Sequence, residues 1–279
     1  MLDKTCLITG GTSGIGKETA MGLARMNATV IFTAIDKESG EETKREIVNQ
    51  TGNNKIDFFV CDLASFDSIR RFCVEFSDRY EQLHVLINNA AVLQLKRNKS
   101  KDGIEMTFAV NYLAPFLLIR LLESKLQKSA PSRIINVASR AHLFVKYNFD
   151  DIEGTTGYRG MRAYAQSKLA LVSLSKYMAD KLECSGVTVN CVHPGRVNTP
   201  MINPLHPILR GLVKLTMVSS SKGAEPVIYL ASSEEVSDVT GAYFHKQKLA
   251  QPSKIAVESN NITRLIELSE EYILKSAPQ

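Results

Sequence analysis

Tyr164 and Lys168 form the residue pair with the clearest chemical use in this 279-residue sequence. On a helix, positions i and i+4 lie side by side on one face. A free tyrosine has a pKa of about 10, and a neighbouring ammonium group favours its phenolate, so the spacing indicates a general acid/base. Tyr177 and Lys181 have the same spacing. Because 13 residues separate the two tyrosines, Tyr177 lies about 140° around the helix from Tyr164, and the two pairs cannot face one site.

Glycines are concentrated in the stretch TGGTSGIGKETA, residues 9–20. They follow an apolar run and precede a helical pattern, which is the context of a dinucleotide-binding turn. Such a turn lets a pyrophosphate approach the backbone closely and presents free N–H groups at a helix N-terminus. The spacing is not GxGxxG. On these residues alone, a tight strand-to-helix turn without a ligand stays open.

Short apolar runs alternate with longer amphipathic segments along the chain. The apolar runs, which read as buried strands, are TCLITG, ATVIFTAI, IDFFVCDL, HVLINNAA, RIINVAS and VTVNCVHPG. The helical patterns lie near 15–26, 38–50, 65–80, 102–128 and 161–184, followed by a strand near 241–247 and a helix near 261–275. This alternation predicts an α/β fold, a doubly wound parallel sheet of the Rossmann type. No composition break divides the chain, so we expect a single domain over residues 1–279.

A proline-rich segment, residues 200–222, interrupts this alternation after the last central strand, where an open α/β sheet has its ligand crevice. Its apolar residues recur mostly at three- and four-residue spacing, as on one helix face. Arg210 and Lys214 form a basic edge beside them. We interpret residues 196–222 as a substrate lid. A helix that also contacts a membrane surface is the alternative.

Composition and charge limit the classes of protein. With 44% hydrophobic and 23% charged residues and a formal net charge of +5, the chain reads as a soluble globular protein without the dense basic stripe of a nucleic-acid binder. Five scattered cysteines without CxxC spacing indicate reduced thiols and no metal site. No signal peptide, anchor or long apolar run is visible. We therefore expect a cytoplasmic protein, with peripheral membrane contact left open.

Together, the ordered motifs resemble the single-domain short-chain dehydrogenase/reductase family over nearly the whole chain. They are TGxxxGIG at 9–16, NNAA at 88–91, Asn111, Ser139, YxxxK at 164–168 and PG at 194–195. The resemblance implies an oxidoreductase that transfers a hydride between NADP(H) or NAD(H) and an alcohol or carbonyl substrate. It also implies a homodimer or homotetramer formed through the Tyr164 helix. The alternative is a nucleotide-binding sensor or scaffold with little turnover.

The resemblance gives each matching residue a role. Tyr164 is the acid/base, and Lys168 favours its phenolate and bonds the nicotinamide ribose. Ser139 holds the substrate oxygen, and Asn111 anchors a water leading to Lys168. The residues implied to contact the cofactor are Gly10, Ser13, Gly14, Ile15, Gly16, Asp62, Asn89, Ala90, Tyr164, Lys168, Val197 and Thr199. A pure binding protein would not need all four chemical residues, which argues against the alternative.

The end of the second predicted strand bears on the choice of cofactor. An acid there hydrogen-bonds the ribose of NAD, and a base accepts the 2′-phosphate of NADP. By family register these positions hold Ala34 and Ile35, while Asp36 comes two positions late. With Lys17 near the turn, we expect a slight preference for NADP(H) over NAD(H).

The 25-residue interval between Ser139 and Tyr164, with several flanking stretches, resembles the retinol-dehydrogenase-like branch of the family. Members of that branch often act on lipophilic alcohols and carbonyls, and many carry an N-terminal anchor, which is not seen here. From the resemblance to this branch we therefore expect only that the substrate is an apolar alcohol or carbonyl compound. We interpret His142, three residues after Ser139, as an ordinary loop histidine, with substrate contact as the alternative, and His193 as structural.

Overall fold

The computed structural model describes residues 1–197 and 217–275. Eight strands form one sheet in the order β3-β2-β1-β4-β5-β6-β7-β8. They are β1 (Thr5–Ile8), β2 (Thr29–Ala34), β3 (Ile56–Val60), β4 (Val85–Asn88), β5 (Ser132–Val137), β6 (Val187–His193), β7 (Tyr243–His245) and β8 (Lys248–Ala250). Neighbouring strands pair in parallel except β8, which pairs antiparallel with β7. The strand order reverses between β1 and β4, and this switch point places the crevice at their carboxyl ends.

Helices cover both faces of this sheet. They are α1 (Gly14–Arg25), α2 (Lys37–Thr51), α3 (Phe66–Arg79), α4 (Met106–Phe108), α5 (Ala114–Lys128), α6 (Gly160–Lys181), α7 (Ser220–Ser232) and α8 (Ser259–Lys275). One hydrophobic core contains buried residues of α3, α5, α6 and α8, and the core on the other face contains residues of α1, α2 and α7. The predicted doubly wound α/β fold is therefore confirmed.

Successive residues of the central strands enter opposite cores. In β1, Leu7 packs into the core under α5 and α6, whereas Cys6 and Ile8 pack into the core under α1 and α7. All three side chains are fully buried. Strands covered on both faces need apolar residues at every position, which explains why their sequences are continuous apolar runs rather than alternating ones.

The predicted helix near 102–128 is divided by a π-helical turn. Glu105 caps α4 by accepting the N–H groups of Thr107 and Phe108 at 2.9 and 2.7 Å. The π-helix Ala109–Leu113 then connects α4 to α5 and contains Asn111. The combined helix Met106–Lys128 is long and apolar enough to span a membrane, but 78% of its most apolar window is buried inside the fold. It is therefore accounted for as a core helix.

The C-terminal helix α8 packs across α5 and α6. The Tyr112 hydroxyl lies 2.7 Å from the Ser269 hydroxyl, and Arg120 forms an ion pair with Glu270. In the single chain, every residue from Tyr164 to Ser175 on α6 is buried. This stretch of α6 therefore has no exposed face in the single chain.

Candidate active site

The glycine-rich turn between β1 and α1 depends on close backbone contacts. Gly10 has a φ of +67°, and a Cβ at Gly16 would lie 2.1 Å from the Gly10 carbonyl oxygen. The Asn89 side chain donates to the Thr9 and Gly10 carbonyl oxygens at 2.9 and 3.2 Å. The Thr9 hydroxyl accepts the N–H groups of Asn89 and Ala90 at 3.0 and 3.1 Å. These bonds fix the turn against the end of β4.

The N-terminus of α1 faces the crevice. Ser13 precedes the helix but makes no side-chain capping bond within the described residues, and Ser13, Gly14 and Ile15 line the cavity. The first N–H groups of a helix have no partner within the helix, and the helix dipole makes that end positive. The turn and helix end together fit the pyrophosphate of a dinucleotide.

Two adjoining cavities form the crevice, with volumes of about 470 and 500 Å³. Gly10, Thr12, Ala90 and Ala91 line both of them, so the two are neighbours along the carboxyl edge of the sheet. Cavities of this size lie in the usual range for small-molecule sites. The crevice therefore has room for an extended ligand that crosses the glycine-rich turn.

Ser139, Tyr164 and Lys168 meet in the first cavity. Ser139 follows β5, while Tyr164 and Lys168 lie one helical turn apart on α6. Burial raises the pKa of Tyr164, and a hydrogen bond with Ser139 acts in the opposite direction. The Lys168 Nζ donates to the Val137 carbonyl oxygen at 2.8 Å and lies 5.9 Å from the centre of the Tyr164 ring.

Lys168 is almost completely buried, at 2% exposure. Burial lowers its pKa to about 7. Both protonation states of its amine are therefore populated near neutral pH. A lysine shifted in this way beside a tyrosine in a cleft is typical of a catalytic site.

The second Tyr–Lys pair lies elsewhere. Lys181 forms an ion pair with Glu123 at 2.6 Å, and Tyr177 packs against the core under α5 and α6. Neither is among the described residues that line the crevice. Helix geometry thus separates the two pairs as their spacing predicts.

Asn111 lies behind the crevice wall. It is fully buried, and its side chain bonds both the N–H and the C=O of Val92, at 2.8 and 3.0 Å. It also donates to the Ser167 hydroxyl at 3.0 Å, which in turn donates to the Tyr164 carbonyl oxygen at 2.8 Å. These bonds join the segment after β4 to α6 immediately beneath Tyr164.

Asp62 lines the second cavity. Burial raises its pKa, but an ion pair with Lys101 at 2.9 Å and the N–H of Ala64 at 2.9 Å outweigh burial and lower the pKa overall. The carboxylate is therefore ionised and held in place at the edge of this cavity.

The end of β2 also lines the second cavity, through the buried Ala34 and the exposed Ile35. Asp36 is not among the described lining residues. It caps α2 instead, and its carboxylate accepts the Ser39 N–H at 2.8 Å, which lowers the pKa of Asp36. The acid nearest this end of the cavity in sequence is thus used in helix capping.

Val197 lines the first cavity and pairs with Val218 in an isolated parallel bridge. A Cβ at Gly223 would lie 2.5 Å from Val197, so the missing side chain lets α7 approach this wall. Thr199, like most of the predicted lid at 196–222, lies outside the described residues.

Two histidines lie close to the site. His193 lines the first cavity at 7% exposure and stacks on His245, with ring centres 5.3 Å apart. Burial, with a further contribution from His245, lowers its pKa to about 3, so the ring is neutral. His142 is fully buried, and it contacts Ser139.

The switch-point crevice, the open α1 N-terminus and the Ser–Tyr–Lys cluster define a Rossmann-type oxidoreductase that uses a nicotinamide dinucleotide. The short chain dehydrogenase family model matches residues 4–208, and the chain belongs to that family. It is a hydride-transfer oxidoreductase that acts on an alcohol or carbonyl substrate.

Several known proteins are similar to this chain. Human retinol dehydrogenase 13 is 39% identical, covering 99% of this chain and 86% of its own length. Human polyprenol dehydrogenase is 38% identical, covering 88% of this chain and 78% of its own. A solved NAD(P)-dependent gluconate 5-dehydrogenase from Beutenbergia cavernae, with bound NADP, is 25% identical with a TM-score of 0.72, covering 88% of this chain and 95% of its own. The retinol-dehydrogenase-like branch predicted from the sequence is thereby confirmed.

Proposed function

We propose that this chain interconverts an apolar alcohol and its aldehyde or ketone, with Tyr164 as the acid/base. The observation that carries the proposal is the meeting of Tyr164, Ser139 and Lys168 in one cavity, with Tyr164 only 8% exposed. When bound, the nicotinamide cofactor supplies or accepts the hydride. The residues of the chain orient the substrate oxygen and move its proton.

Ser139 and Tyr164 hold the substrate oxygen between them in this proposal. The Ser139 Oγ already accepts the Ala141 N–H at 3.2 Å, so its hydroxyl proton remains free to be donated. Tyr164 gives its proton to the developing alkoxide in reduction and removes it in oxidation. A protonated Lys168 stabilises the phenolate left behind. Asn111 acts indirectly by holding the backbone around Val92 and beneath Tyr164.

Cofactor contacts follow from the lining residues. Gly10, Ser13, Gly14, Ile15 and Gly16 form the turn and helix end for the pyrophosphate, and Asp62 lies at the adenosine side. Asn89 and Ala90 line the first cavity, Ala90 also lines the second, and Val197 and Thr199 are proposed at the nicotinamide side. Tyr164 and Lys168 lie beside the nicotinamide ribose.

NADP(H) is our proposed cofactor. Two observations support it: Ala34 and Ile35 bring no carboxylate to the second cavity, and the Asp36 carboxylate is bonded to Ser39. The exposed Ile35, at 64% exposure, allows a matched pair of variants. Ile35→Arg should raise the affinity ratio of NADPH to NADH about tenfold or more, and Ile35→Asp should lower it similarly. A wild-type chain that binds NADH ten times more tightly than NADPH would contradict the preference.

An apolar substrate is supported by the first cavity, where Ala141, Met161, Val197 and Met217 are lining residues. The two relatives named for retinol and polyprenol act, by those names, on lipophilic alcohols. We propose that residues 196–222 cover such a substrate and that the protein is cytoplasmic with peripheral membrane contact. Co-sedimentation with anionic vesicles at low and high salt tests this contact. Basic side chains such as Arg210 and Lys214 bind anionic lipid headgroups more weakly as the salt concentration rises.

Tyr164→Phe tests the reaction, with Tyr177→Phe as the matched control. Removing a positioned proton donor should lower kcat by roughly 10²–10⁴-fold, while the dissociation constant for NADPH stays within about twofold. Tyr177→Phe should keep the wild-type rate. A panel of retinoid, polyprenoid and short-chain aldehydes, assayed with both cofactors, identifies the substrate class. The opposite pattern in the two variants would exclude Tyr164 as the acid/base.

A further inference from the structure

His142 connects Ser139 to a distant part of the chain. Its Nδ1 lies 2.6 Å from the Ser139 carbonyl oxygen, and its Nε2 accepts the Ser253 N–H at 3.2 Å. The side chain is fully buried, and its ring meets Tyr243 edge-on with centres 4.8 Å apart. Both ring nitrogens are therefore used, and neither faces the crevice.

These two contacts define the tautomer of His142. A backbone N–H only donates, so Nε2 must be unprotonated to accept from Ser253. The Ser139 carbonyl oxygen only accepts, so the proton must be on Nδ1. His142 is thus a neutral ring that donates at one end and accepts at the other. Burial, which lowers its pKa, favours this neutral form.

The segment held by His142 also contacts the helix that carries Tyr164. Ser253 precedes the 3₁₀ turn Lys254–Val257, and the Ala256 carbonyl oxygen accepts the Ser173 hydroxyl of α6 at 2.8 Å. Ser139 and α6 are therefore joined by a second route, apart from the direct contact between Ser139 and Tyr164. Ser253 and Ala256 lie beyond residues 4–208, which match the family model.

We propose that His142 is a positioning residue that sets Ser139 relative to Tyr164 by bracing it against the segment Ser253–Ala256. The proposal rests on the roles proposed above for Ser139 and Tyr164. The Ser139 carbonyl oxygen accepts both the Nδ1–H and the backbone N–H of His142, the latter at 3.2 Å. With its carbonyl held in this way, Ser139 keeps the backbone orientation that directs its hydroxyl toward Tyr164. A displacement of about 1 Å from such an alignment can lower the reaction rate about 10²-fold.

Three substitutions of His142 test the hydrogen bonds at its two ring nitrogens separately. In His142→Asn the amide nitrogen can take the place of Nδ1 and donate to Ser139, but the side chain does not reach Ser253. In His142→Gln the amide oxygen can take the place of Nε2 and accept from Ser253, but no donor remains for Ser139. His142→Phe keeps the edge contact with Tyr243 and removes both hydrogen bonds.

His84 provides a matched control. It is buried at 7% exposure, and its Nδ1 accepts the Thr5 N–H at 3.0 Å, at the opposite edge of the sheet from the crevice. His84→Phe therefore also removes a buried bond between a histidine and the backbone. Its thermal midpoint should fall, but its kcat should stay within twofold of the wild type.

The test measures kcat, KM, the dissociation constant for NADPH and the thermal midpoint, with rates taken well below every midpoint. We expect His142→Phe to lower kcat at least tenfold with NADPH affinity within twofold, and His142→Asn to restore most of kcat while His142→Gln does not. Equal kcat in His142→Phe and wild type, or equal losses in Asn and Phe variants, would overturn the proposal. Ser139→Ala distinguishes failure of the His142 proposal from failure of the role proposed for Ser139. If Ser139→Ala keeps the wild-type kcat, the role proposed for Ser139 is wrong.

Discussion

Gly16→Ala tests whether the glycine-rich turn is built for close approach. A Cβ at Gly16 would lie 2.1 Å from the Gly10 carbonyl oxygen and 2.5 Å from the Asn89 amide nitrogen. Ordinary contacts begin at 3.4 Å, so the start of α1 and the turn must separate by about 1.3 Å, the difference between the two distances. The obstructing oxygen belongs to the backbone, so rotation of a side chain cannot relieve the contact.

The expected magnitude follows from two opposing effects. Overpacking of this kind typically costs about 1–3 kcal/mol. Exchanging glycine for alanine inside a helix returns about 1 kcal/mol at most. We therefore expect a net loss of up to about 2 kcal/mol in the free energy of unfolding. A displaced turn should also weaken NADPH binding at least tenfold, because the N–H groups of α1 no longer meet the pyrophosphate.

Gly22→Ala is the control within the same helix. Its Cβ would meet the tip of the Ile228 side chain at 2.3 Å, and a flexible methyl group can move away. Urea unfolding and the quenching or enhancement of nicotinamide fluorescence measure both variants. Gly22→Ala should stay within about 1 kcal/mol of wild type and bind NADPH normally. If Gly16→Ala binds NADPH as tightly as Gly22→Ala does, the close-approach reasoning is refuted.

Three further predictions concern stability and assembly. Asn111→Ala removes the side chain that pairs the partly buried N–H and C=O of Val92 and should lower the free energy of unfolding by about 1–3 kcal/mol in urea titrations; a change below about 0.5 kcal/mol would contradict it. Because the folded-state pKa of His193 is lowered to about 3, wild type should lose stability relative to His193→Phe as the pH falls from about 6.5 toward 3, and parallel titration curves would contradict this. Leu265 on α8 is fully buried, so Leu265→Asp should expose the α5–α6 face and raise the mass measured by light scattering. If the wild-type chain already forms a dimer through α6, the conclusion that residues 164–175 of α6 are buried in the single chain is wrong.

The parts of the fold that could be predicted from the sequence are those set by local patterns. Strands buried on both faces are apolar at every position, so runs such as TCLI could be read directly. The Tyr164–Lys168 pair and the glycine-rich turn also lie within single short stretches. Helical periodicity alone was enough to separate Tyr164 from Tyr177.

The features that could not be predicted depend on contacts between distant residues. His142 and its partner Ser253 are 111 residues apart, so nothing near His142 distinguishes a brace from a loop histidine. The helix α7 contains Gly223 and Pro226, both of which weaken a local helix signal, and it forms because it packs against α1. The π-helix around Asn111 interrupts an otherwise regular pattern. The Asn111 side chain forms hydrogen bonds with Val92 and Ser167. No sequence spacing rule connects these two residues to Asn111.

Burial shifts the pKa values of Tyr164 and Lys168 in opposite directions. It raises the pKa of Tyr164 and lowers that of Lys168, so the fold alone favours a neutral phenol beside an amine that titrates near neutrality. A protonated Lys168, whose Nζ lies 5.9 Å from the Tyr164 ring centre, favours the phenolate. A neutral Lys168 contributes none of this. The hydrogen bond from Ser139 is the remaining contact that lowers the pKa of Tyr164. The placement of Ser139 therefore affects the acidity of Tyr164 as well as the position of the substrate, and a brace that holds Ser139 influences both.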